Sequence, residues 1–567
     1  MAALVNTGGV QTQFSTDPNA IVTVHVSIIE APTPINYQRT GALVSFGATT
    51  LPAGWTELLT ELADLAVPPL DNPTGSPIMP VAYQGASLTW AAGVCTLTLT
   101  TPLSFPHGGT TPGMGPPING DIIPMVLTGY VPNVFTNTPL CNGLHNCTIT
   151  SPTTMTFTAT TDPTPITTQG TVLPHKCIEL SQMATTFFAQ GNEIGVWILE
   201  LGYDNNPANN VQALETWLQQ NPFTIYGFLM PRKFGCDPSI LGTAQVPLPF
   251  TSLLKQFEAP SATMEYFWLT VASGAINGFA PIWTVETYEN LFYPGQLGSG
   301  GTKGIGSSFK DVIQMVEAPE LQDPNLIYFP ASGVDPAQYV IPNYLQSNGE
   351  FTIAAMFYNA LAFRPSNTNR ITPMAFKFVY GVTEFPQKNN APLLRSFKSA
   401  NTNYISTGAE GGISFTMIYE GVTLDGHDYF NWWYTIDWVQ IEINLNLSNA
   451  IINGSNNPLA PLYYNQDGIN YLETVLFSTM QDASTFGMVL GKIEMTHYDG
   501  PDLSAAINGG QFAGKCNVNA VPFLQYSLAN PGDYKIGEYD GLSTLFIPAR
   551  GFIHILVNVV ATDLISI

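Results

Sequence analysis

The sequence predicts a multidomain protein of the α/β and α+β classes, in which mixed sheets are flanked by helices. Helical and strand patterns alternate from His175 onward, alternating Thr-rich strands fill 67–173, and a β-prone segment lies near each terminus. A length of 567 residues is too great for one core, since cores stop growing at about 250–300 residues. We therefore expect a mixed α/β core, an inserted all-β domain and an extended strand arm at each end.

The composition of the chain argues against several classes of function. Hydrophobic residues make up 45% of the sequence, enough for several packed cores. The formal net charge is −24, and Arg39 is the only basic residue before Lys176. Because an acidic chain repels phosphate groups, we expect no direct binding of nucleic acid. There is no apolar run of about 18 residues and no signal-peptide pattern, so neither membrane insertion nor Sec export is expected.

Residues 1–30 are predicted to form an N-terminal arm. The first 20 residues are small and polar, and 21–28 alternate between apolar and polar side chains. A period of two indicates a strand with one buried face. The apolar positions of this strand are Val22, Val24, Val26 and Ile28.

An α/β body is predicted to follow, interrupted once. Its first part spans 31–66 and 174–290, with a helical stretch expected at 55–65 and helices alternating with strands after His175. Such alternation predicts a sheet flanked by helices. The expected strands lie at 42–47, 196–201, 225–230 and 266–271. A second part of the body is assigned to 291–400, including a glycine-rich loop at 292–308.

The interruption, 67–173, is predicted to be a separate all-β domain. Basic residues vanish there, Thr and Pro dominate, and short strands such as 95–100 and 154–160 alternate in polarity. This pattern is typical of a β-sandwich of about 100 residues, immunoglobulin-like in size. Because helical patterning resumes directly afterwards, we interpret the stretch as an inserted domain.

A C-terminal domain is assigned to 401–550 and contains two predicted helices, 428–452 and 468–485. Their faces have apolar positions that step by three and four residues. On the first helix the positions are Tyr434, Trp438, Ile441, Leu445, Ser448 and Ile452, with Asp437 beside them, and on the second they are Ile469, Leu472, Leu476, Met480 and Ala483. Residues 551–567 form a second arm with a β-prone strand, whose apolar positions are Phe552, Ile553, Ile555, Val557 and Val559.

Two short patterns resemble sites for phosphate or acid–base chemistry. The glycine cluster at 298–303 lacks the Gly-Lys-Ser/Thr of a phosphate loop, so a plain loop is favoured. Asp425 and Asp428 flank His427, but an Asp near the start of a helix is more simply a cap that suits the helix dipole. Asp437 is expected to make a structural hydrogen bond. No catalytic constellation emerges, and we expect no enzyme activity and no cofactor.

Three residues within seven positions have side chains that can bind a metal: Cys141, His145 and Cys147. No second cluster completes a tetrahedral site, so the expectation is that no metal is bound. A bridge between Cys141 and Cys147 is chemically feasible but disfavoured in a cytosolic compartment, where cysteines stay reduced.

Five groups of segments, in order, resemble the contractile-tail sheath proteins of bacteriophages. They are IVTVHVSI at 21–28 with GALVSFG at 41–47; ATTFFAQG at 184–191 with VWIL at 196–199; AFK at 375–377 with GVT at 381–383 and Asn403-Tyr404; GVTLDG at 421–426 with TIDW at 435–438 and NQDGI at 465–469; and FIPAR at 546–550 with GFIH at 551–554. The last departs from the family, where small residues are usual in place of Gly551-Phe552. The resemblance leaves out the 67–173 insertion.

The resemblance implies a structural subunit of a phage tail. Such subunits form a homo-oligomer of stacked hexameric rings around a tail tube protein, bounded by baseplate and by terminator or neck proteins, and contract to deliver the genome. It implies that the strands at 21–28 and 552–560 pair with neighbouring subunits, that 401–550 lies next to the tube and that the insertion projects outward. The protein would be made in the host cytoplasm and reside in the virion.

Two other classes of function stay open at the level of sequence. A receptor-binding or carbohydrate-binding tail or baseplate protein would also suit the inserted β domain and the 11% aromatic content. A wall-degrading hydrolase is a weaker alternative, because it needs paired carboxylates or a metal site.

Overall fold

The structure is a computed structural model that describes a defined part of the chain. The described residues are 4–7, 10–13, 37–69, 75–107, 113–115, 117, 119–132, 141–159, 162–204, 207–232, 234, 242–243, 246–247, 264–271, 311–317, 350–385, 391–399, 401–407, 415–424, 429–509 and 515–551. The predicted strands at 21–28 and 552–560, the glycine loop at 292–308, and the trio Asp425, His427 and Asp428 lie outside them.

The described strands are numbered along the chain. They are β1 Leu4–Thr7, β2 Val10–Gln13, β3 Gly41–Ser45, β4 Trp55–Leu59, β5 Tyr83–Ala91, β6 Val94–Leu99, β7 Phe105–His107, β8 Gly113–Gly115, β9 Ile122–Thr128, β10 Val131–Pro132, β11 Gly143–Ser151, β12 Thr154–Thr158, β13 Ile166–Thr168, β14 Thr171–Pro174, β15 Val196–Glu200, β16 Gly227–Leu229, β17 Gly242–Thr243, β18 Val246–Pro247, β19 Tyr266–Val271, β20 Val312–Val316, β21 Tyr404–Thr407, β22 Thr416–Tyr419, β23 Val489–Leu490, β24 Lys492–Thr496, β25 Lys515–Ala520, β26 Leu542–Leu545 and β27 Ile547–Pro548.

The described α-helices are numbered in the same way. They are α1 His175–Ala189, α2 Pro207–Gln220, α3 Ile353–Leu361, α4 Ala391–Ser399, α5 Phe430–Ser455, α6 Gln466–Thr485, α7 Gly500–Asn508, α8 Phe523–Ala529 and α9 Pro531–Ile536. Short 3-10 helices occupy Tyr37–Arg39 and Leu62–Ala66. This mixture of helices and several sheets agrees with the predicted multidomain α and β class. Within the described residues, no helix is long and apolar enough to cross a membrane.

A six-stranded sheet in the order β20-β19-β16-β3-β15-β4 forms the centre of the body. The first five strands are parallel, and β4 pairs antiparallel at the edge beside β15. Strands such as β3 and β20 are buried at every position, as expected for parallel strands covered on both faces. The strand β3 lies inside the sheet, between β16 and β15.

The helical stretch expected at 55–65 is wrong. Residues Trp55–Leu59 form β4, and Leu62–Ala66 form a 3-10 helix. Each residue of β4 has a partner on β15, from Leu59 opposite Val196 to Trp55 opposite Glu200. Pairing with an already formed sheet satisfies the backbone groups of this short segment, and such tertiary pairing overrides a weak local helix preference.

Two apolar layers cover the faces of the sheet. Leu43 of β3 points into the layer that contains α1, α3 and the start of α5, whereas Ala42 and Val44 point into the layer with α2. The helix α3 approaches the strands closely at Gly227, where a Cβ atom would stand 2.8 Å from both Phe357 and Trp268. The small residue lets the helix pack directly on the sheet.

The inserted domain is a closed barrel, and the predicted immunoglobulin-like sandwich is wrong in topology. Six antiparallel strands follow the order β11-β12-β6-β5-β14-β9, and β9 returns to pair with β11. The interior holds apolar side chains such as Leu97, Ile149 and Met155, while Thr residues alternate outward. Local alternation is the same in a sandwich and a barrel, because only the long-range pairs β14–β5 and β14–β9 close the sheet.

The C-terminal part is built on α5 and α6, which occupy the positions of the two predicted helices. They pack with the sheet β24-β25-β26 around a core that includes Val439, Leu447, Met480 and Val518. The predicted face of α5 is partly wrong: Ile452 at its end is exposed, and burial follows Val439, Ile443 and Leu447 instead. The reason is that α5 contacts the body with one face and α6 with another, so no single narrow stripe describes it.

Candidate functional site at the carboxyl edge of the central sheet

The strand order defines where a ligand would bind in a fold of this type. The chain passes from β3 to β15 on one side and then crosses to β16 on the other side of β3. In open α/β sheets, ligands bind outside the carboxyl ends of the strands at such a switch point. The residues that follow β3, β15, β16 and β20 are therefore the ones placed to form a site.

Glu200 ends β15 and is fully buried. Its carboxylate accepts hydrogen bonds from the hydroxyl groups of Ser45 and Thr49, at 2.6 and 2.8 Å, and from the backbone N–H groups of Gly47, Thr49 and Gly202. Gly47 has a φ of +83°, a left-handed conformation that glycine adopts without strain. Five donors satisfy this carboxylate, so it holds the turn after β3 in place.

Arg232 follows β16, one of the two strands that border the switch point. Only 1% of the residue is exposed. Its guanidinium donates two bonds to Glu317, at 2.8 and 3.0 Å, one to Gln182 at 2.9 Å and one to the backbone carbonyl of Glu350 at 2.9 Å. Its backbone N–H donates to Glu179 at 2.8 Å. A paired, two-pronged arrangement of this kind is the strong geometry for a buried ion pair.

Three other segments therefore contact Arg232. Glu179 and Gln182 lie on α1, Glu317 follows β20, and Glu350 precedes α3. The ring of Phe351 covers the guanidinium at 4.4 Å. Within the described residues, the protein's own side chains surround this guanidinium at the carboxyl end of β16.

A pocket of about 390 Å³ lies beside this cluster. It is lined by Thr185, Thr186, Ala189, Glu350, Gly381, Val382 and Thr383. Burial raises the pKa of Glu350, whose carboxylate already accepts bonds from the N–H and hydroxyl groups of Thr383, both at 2.6 Å, and from the Thr352 hydroxyl at 3.1 Å. The carboxylate fixes the 381–383 turn.

Lys176 joins the barrel to the body. Its ammonium group lies 4.6 Å from the ring centre of Phe105, which belongs to the barrel core, and 4.0 Å from that of Tyr203. It also donates to the carbonyl oxygen of Phe46 at 3.2 Å. Burial lowers the pKa of Lys176 to about 8. Because β14 leads directly into α1, the barrel is held to the body by both chain continuity and this contact.

The opposite edge of the sheet anchors α5. Asp437 is buried and accepts hydrogen bonds from the hydroxyl groups of Tyr226, at 3.0 Å, and Tyr266, at 2.7 Å. Gln38 donates to the backbone carbonyl of Tyr434 at 3.0 Å. Asp437 thus joins α5 to β19 and to the residue before β16.

The remaining predicted helix residues belong to the packing of the C-terminal part. Tyr434, Ile441, Ile469 and Leu476 are buried. Trp438, Leu445 and Leu472 are half-buried. These positions form contacts within the chain.

The predicted metal candidates lie inside the barrel. Cys141 and Cys147 are buried free thiols whose pKa values are raised by burial, and burial lowers the pKa of His145 to about 4. The ring of His145 packs on Phe157 at 4.3 Å. Among the described residues, no group of three His, Cys, Asp or Glu side chains is arranged to hold a metal ion.

Several segments of the family resemblance meet in the body. The stretch 41–47 contains the central strand β3, and 184–199 contains the end of α1 and most of β15. The side-chain amide of Asn403 donates to the carbonyl oxygens of Gln314 and Val422 and accepts from the Val422 N–H, each at 2.9 Å. Asn403 thus ties 421–424 to β20.

Sequence reasoning missed Glu200, Arg232, Glu317 and Lys176. The sequence did contain a signal for the two glutamates, because only 10% of the residues in this chain are charged. Glu200 and Glu317 each directly end an apolar strand, and buried charges are retained only when paired. Their partners come from distant segments, which periodicity cannot identify.

Comparison with known proteins adds little to this picture. No family model matches the chain, and no curated protein matches it. Among solved structures, it matches the crystal structure of a sheath tail protein from Listeria innocua with a TM-score of 0.33 and 9% sequence identity. The match covers 82% of this chain and 88% of that chain. Similarity at this level assigns neither a fold nor a function.

Proposed function

We propose that the chain is a structural tail sheath subunit of a contractile bacteriophage tail. In this proposal it polymerises as stacked hexameric rings around a tail tube, meets baseplate and neck or terminator proteins at the ends, and contracts to drive the tube through the host envelope. It is made in the bacterial cytoplasm, resides in the virion and needs no cofactor or catalytic step.

The observation that supports a structural role most strongly is that the described charges at the carboxyl edge of the central sheet are buried and hydrogen-bonded within the chain. The switch point holds the buried Arg232–Glu317 pair, and the five-donor Glu200 fixes the neighbouring turn. Binding a substrate there would require breaking a buried ion pair, which costs several kcal/mol, about 3–5. A body locked in this way suits a subunit that moves as a rigid unit within a polymer.

The sequence resemblance supplies the assembly mechanism. The strands at 21–28 and 552–560 would add to sheets of neighbouring subunits, with backbone hydrogen bonds providing the linkage and side-chain alternation the register. Contraction would be a change between two packings of the same rigid bodies, each subunit contributing a few kcal/mol, with no nucleotide hydrolysis.

Replacement of Val24 and Val26 by Asp tests the proposal through the N-terminal strand. Charge on the buried face of an added strand is costly to bury, so the variant is expected to remain folded by circular dichroism and to sediment as a monomer under conditions where the parent chain polymerises. The matched control is Thr23→Asp with Ser27→Asp, which places the same charge on the opposite face and is expected to polymerise. Equal polymerisation of both variants contradicts the proposed strand pairing.

A further inference from the structure

The most exposed apolar side chains of the described residues are concentrated in two contacting segments of the C-terminal part. Six large apolar residues are more than 65% exposed: Val81, Leu459, Tyr463, Leu524, Leu528 and Ile536. All but Val81 come from the α5–α6 loop or from the α8–α9 hairpin. We call these five residues the end surface.

Contacts between the α5–α6 loop and the α8–α9 hairpin make them one unit. The ring of Tyr464 lies 5.8 Å from that of Phe523 and 5.2 Å from that of Tyr534. The Tyr464 hydroxyl donates to the carbonyl oxygen of Glu538 at 2.7 Å, and the Phe523 N–H donates to the Gln466 side chain at 2.8 Å. The loop and the hairpin thus share an aromatic core.

The hairpin is also held rigidly from within. Tyr526 is buried, stacks edge-on against Tyr539 at 4.8 Å and donates its hydroxyl to Asp533 at 2.9 Å. Leu524 and Leu528 are four residues apart on α8, so they share a face of the helix, and that face is turned away from Tyr526. Exposed aliphatic groups on a preorganised support lose little conformational freedom on binding, which distinguishes this surface from an apolar loop.

Charge defines what can cover the end surface. The segments that form it, 456–470 and 521–541, contain Asp467, Asp533, Glu538 and Asp540 but a single cation, Lys535. The segments that carry the apolar positions therefore have a net negative charge. A second copy that presents the same surface is poorly suited as the occupant, because it would bring these carboxylates against one another, and like charges across an interface suppress association.

We infer that the end surface binds a different protein, one that presents an apolar centre with a rim of Lys and Arg side chains. Burial of Leu524 and Leu528 provides the affinity, and the acidic rim selects the partner by charge. The inference goes beyond the proposed function, since it holds for any assembly that this chain enters.

The test measures binding of two labelled amphipathic helical peptides to the full chain by fluorescence anisotropy, one of Leu and Lys and one of Leu and Glu. We expect the Leu/Lys peptide to bind the parent chain, and its affinity to fall as the salt concentration is raised. We expect its affinity for L524S/L528S to be at least about tenfold lower, equivalent to about 1.4 kcal/mol. E538Q/D540N should weaken it as well. The matched control V81S removes an equally exposed apolar group elsewhere and is expected to leave binding unchanged.

Three results overturn the inference. Equal affinity for the Leu/Glu peptide would show that charge does not select the partner. Unchanged binding by L524S/L528S would show that the peptide does not bind at the end surface. If sedimentation velocity shows that L524S/L528S abolishes self-association, the occupant is a second copy instead. Both leucines are exposed, so the variants should keep the thermal stability of the parent chain, and a matching melting curve excludes unfolding as the cause of lost binding.

Discussion

Arg232→Met provides a direct test of the buried ion pair at the switch point. The substitution keeps an apolar side chain of similar length but leaves the Glu317 carboxylate, which is 0% exposed, without its two-pronged partner. The carboxylate keeps its bond from the Thr352 N–H at 3.1 Å, while Gln182 and the Glu350 carbonyl lose their bonds to Arg232. Removing one partner of a buried pair costs about 3–5 kcal/mol, and we expect the variant to lose that much free energy of unfolding.

The measurement is urea denaturation followed by tryptophan fluorescence, to which the fully buried Trp268 contributes. Lys492→Met is the control, because its partner Glu494 is 3.9 Å away and the Lys492 side chain is 83% exposed; an exposed pair contributes about 0–1 kcal/mol. The double variant R232M/E317L should regain most of the loss, since apolar replacement of both partners is often neutral. A loss below about 1 kcal/mol in R232M would refute the assigned role.

Two further predictions concern the joints between parts. The first is that Lys176 makes the stability of the fold depend on pH. Its pKa in the folded chain is about 8, below the ordinary value of about 10.4. Between these two pH values the unfolded chain binds more protons than the folded chain, so stability rises with pH in that range. Relative to Lys176→Met, which cannot titrate, the parent chain should gain up to about 3 kcal/mol between pH 8 and 10.5, and a constant difference in denaturation midpoints would contradict this. The second is that Asp437→Leu should lower the free energy of unfolding by about 2–5 kcal/mol, because the buried hydroxyl groups of Tyr226 and Tyr266 lose Asp437 as an acceptor. Asp437→Asn keeps an acceptor oxygen and should cost about half as much or less. Equal losses of stability in thermal denaturation would argue against a hydrogen-bonding role.

The central strands were predictable because their apolar runs are short and bounded. The stretches around Val196 and Tyr266 match β15 and β19 closely, since parallel strands are buried on both faces and carry a continuous apolar pattern. Edge strand β4 was not predictable, because its conformation depends on pairing with β15. The same holds for the barrel, where closure depends on pairs between distant strands.

The pairing of the buried charged residues Glu200, Arg232 and Glu317 at the carboxyl edge of the sheet could not be predicted from the sequence. Glu200 and Glu317 stand out as charges that end apolar strands, but Arg232 lies in a segment without periodicity. Which charges meet is decided by the crossover from one side of β3 to the other. The exposure of Leu524 and Leu528 could not be predicted either, because a spacing of four residues is also typical of a buried helix face.

Electron microscopy of the purified full-length chain tests the proposed function most directly. If the chain is a sheath subunit, negatively stained samples should contain hollow tubes, and averaged views down the tube axis should show six subunits in each ring. Particles that stay monomeric or form small closed oligomers at every protein and salt concentration tried would contradict the proposal.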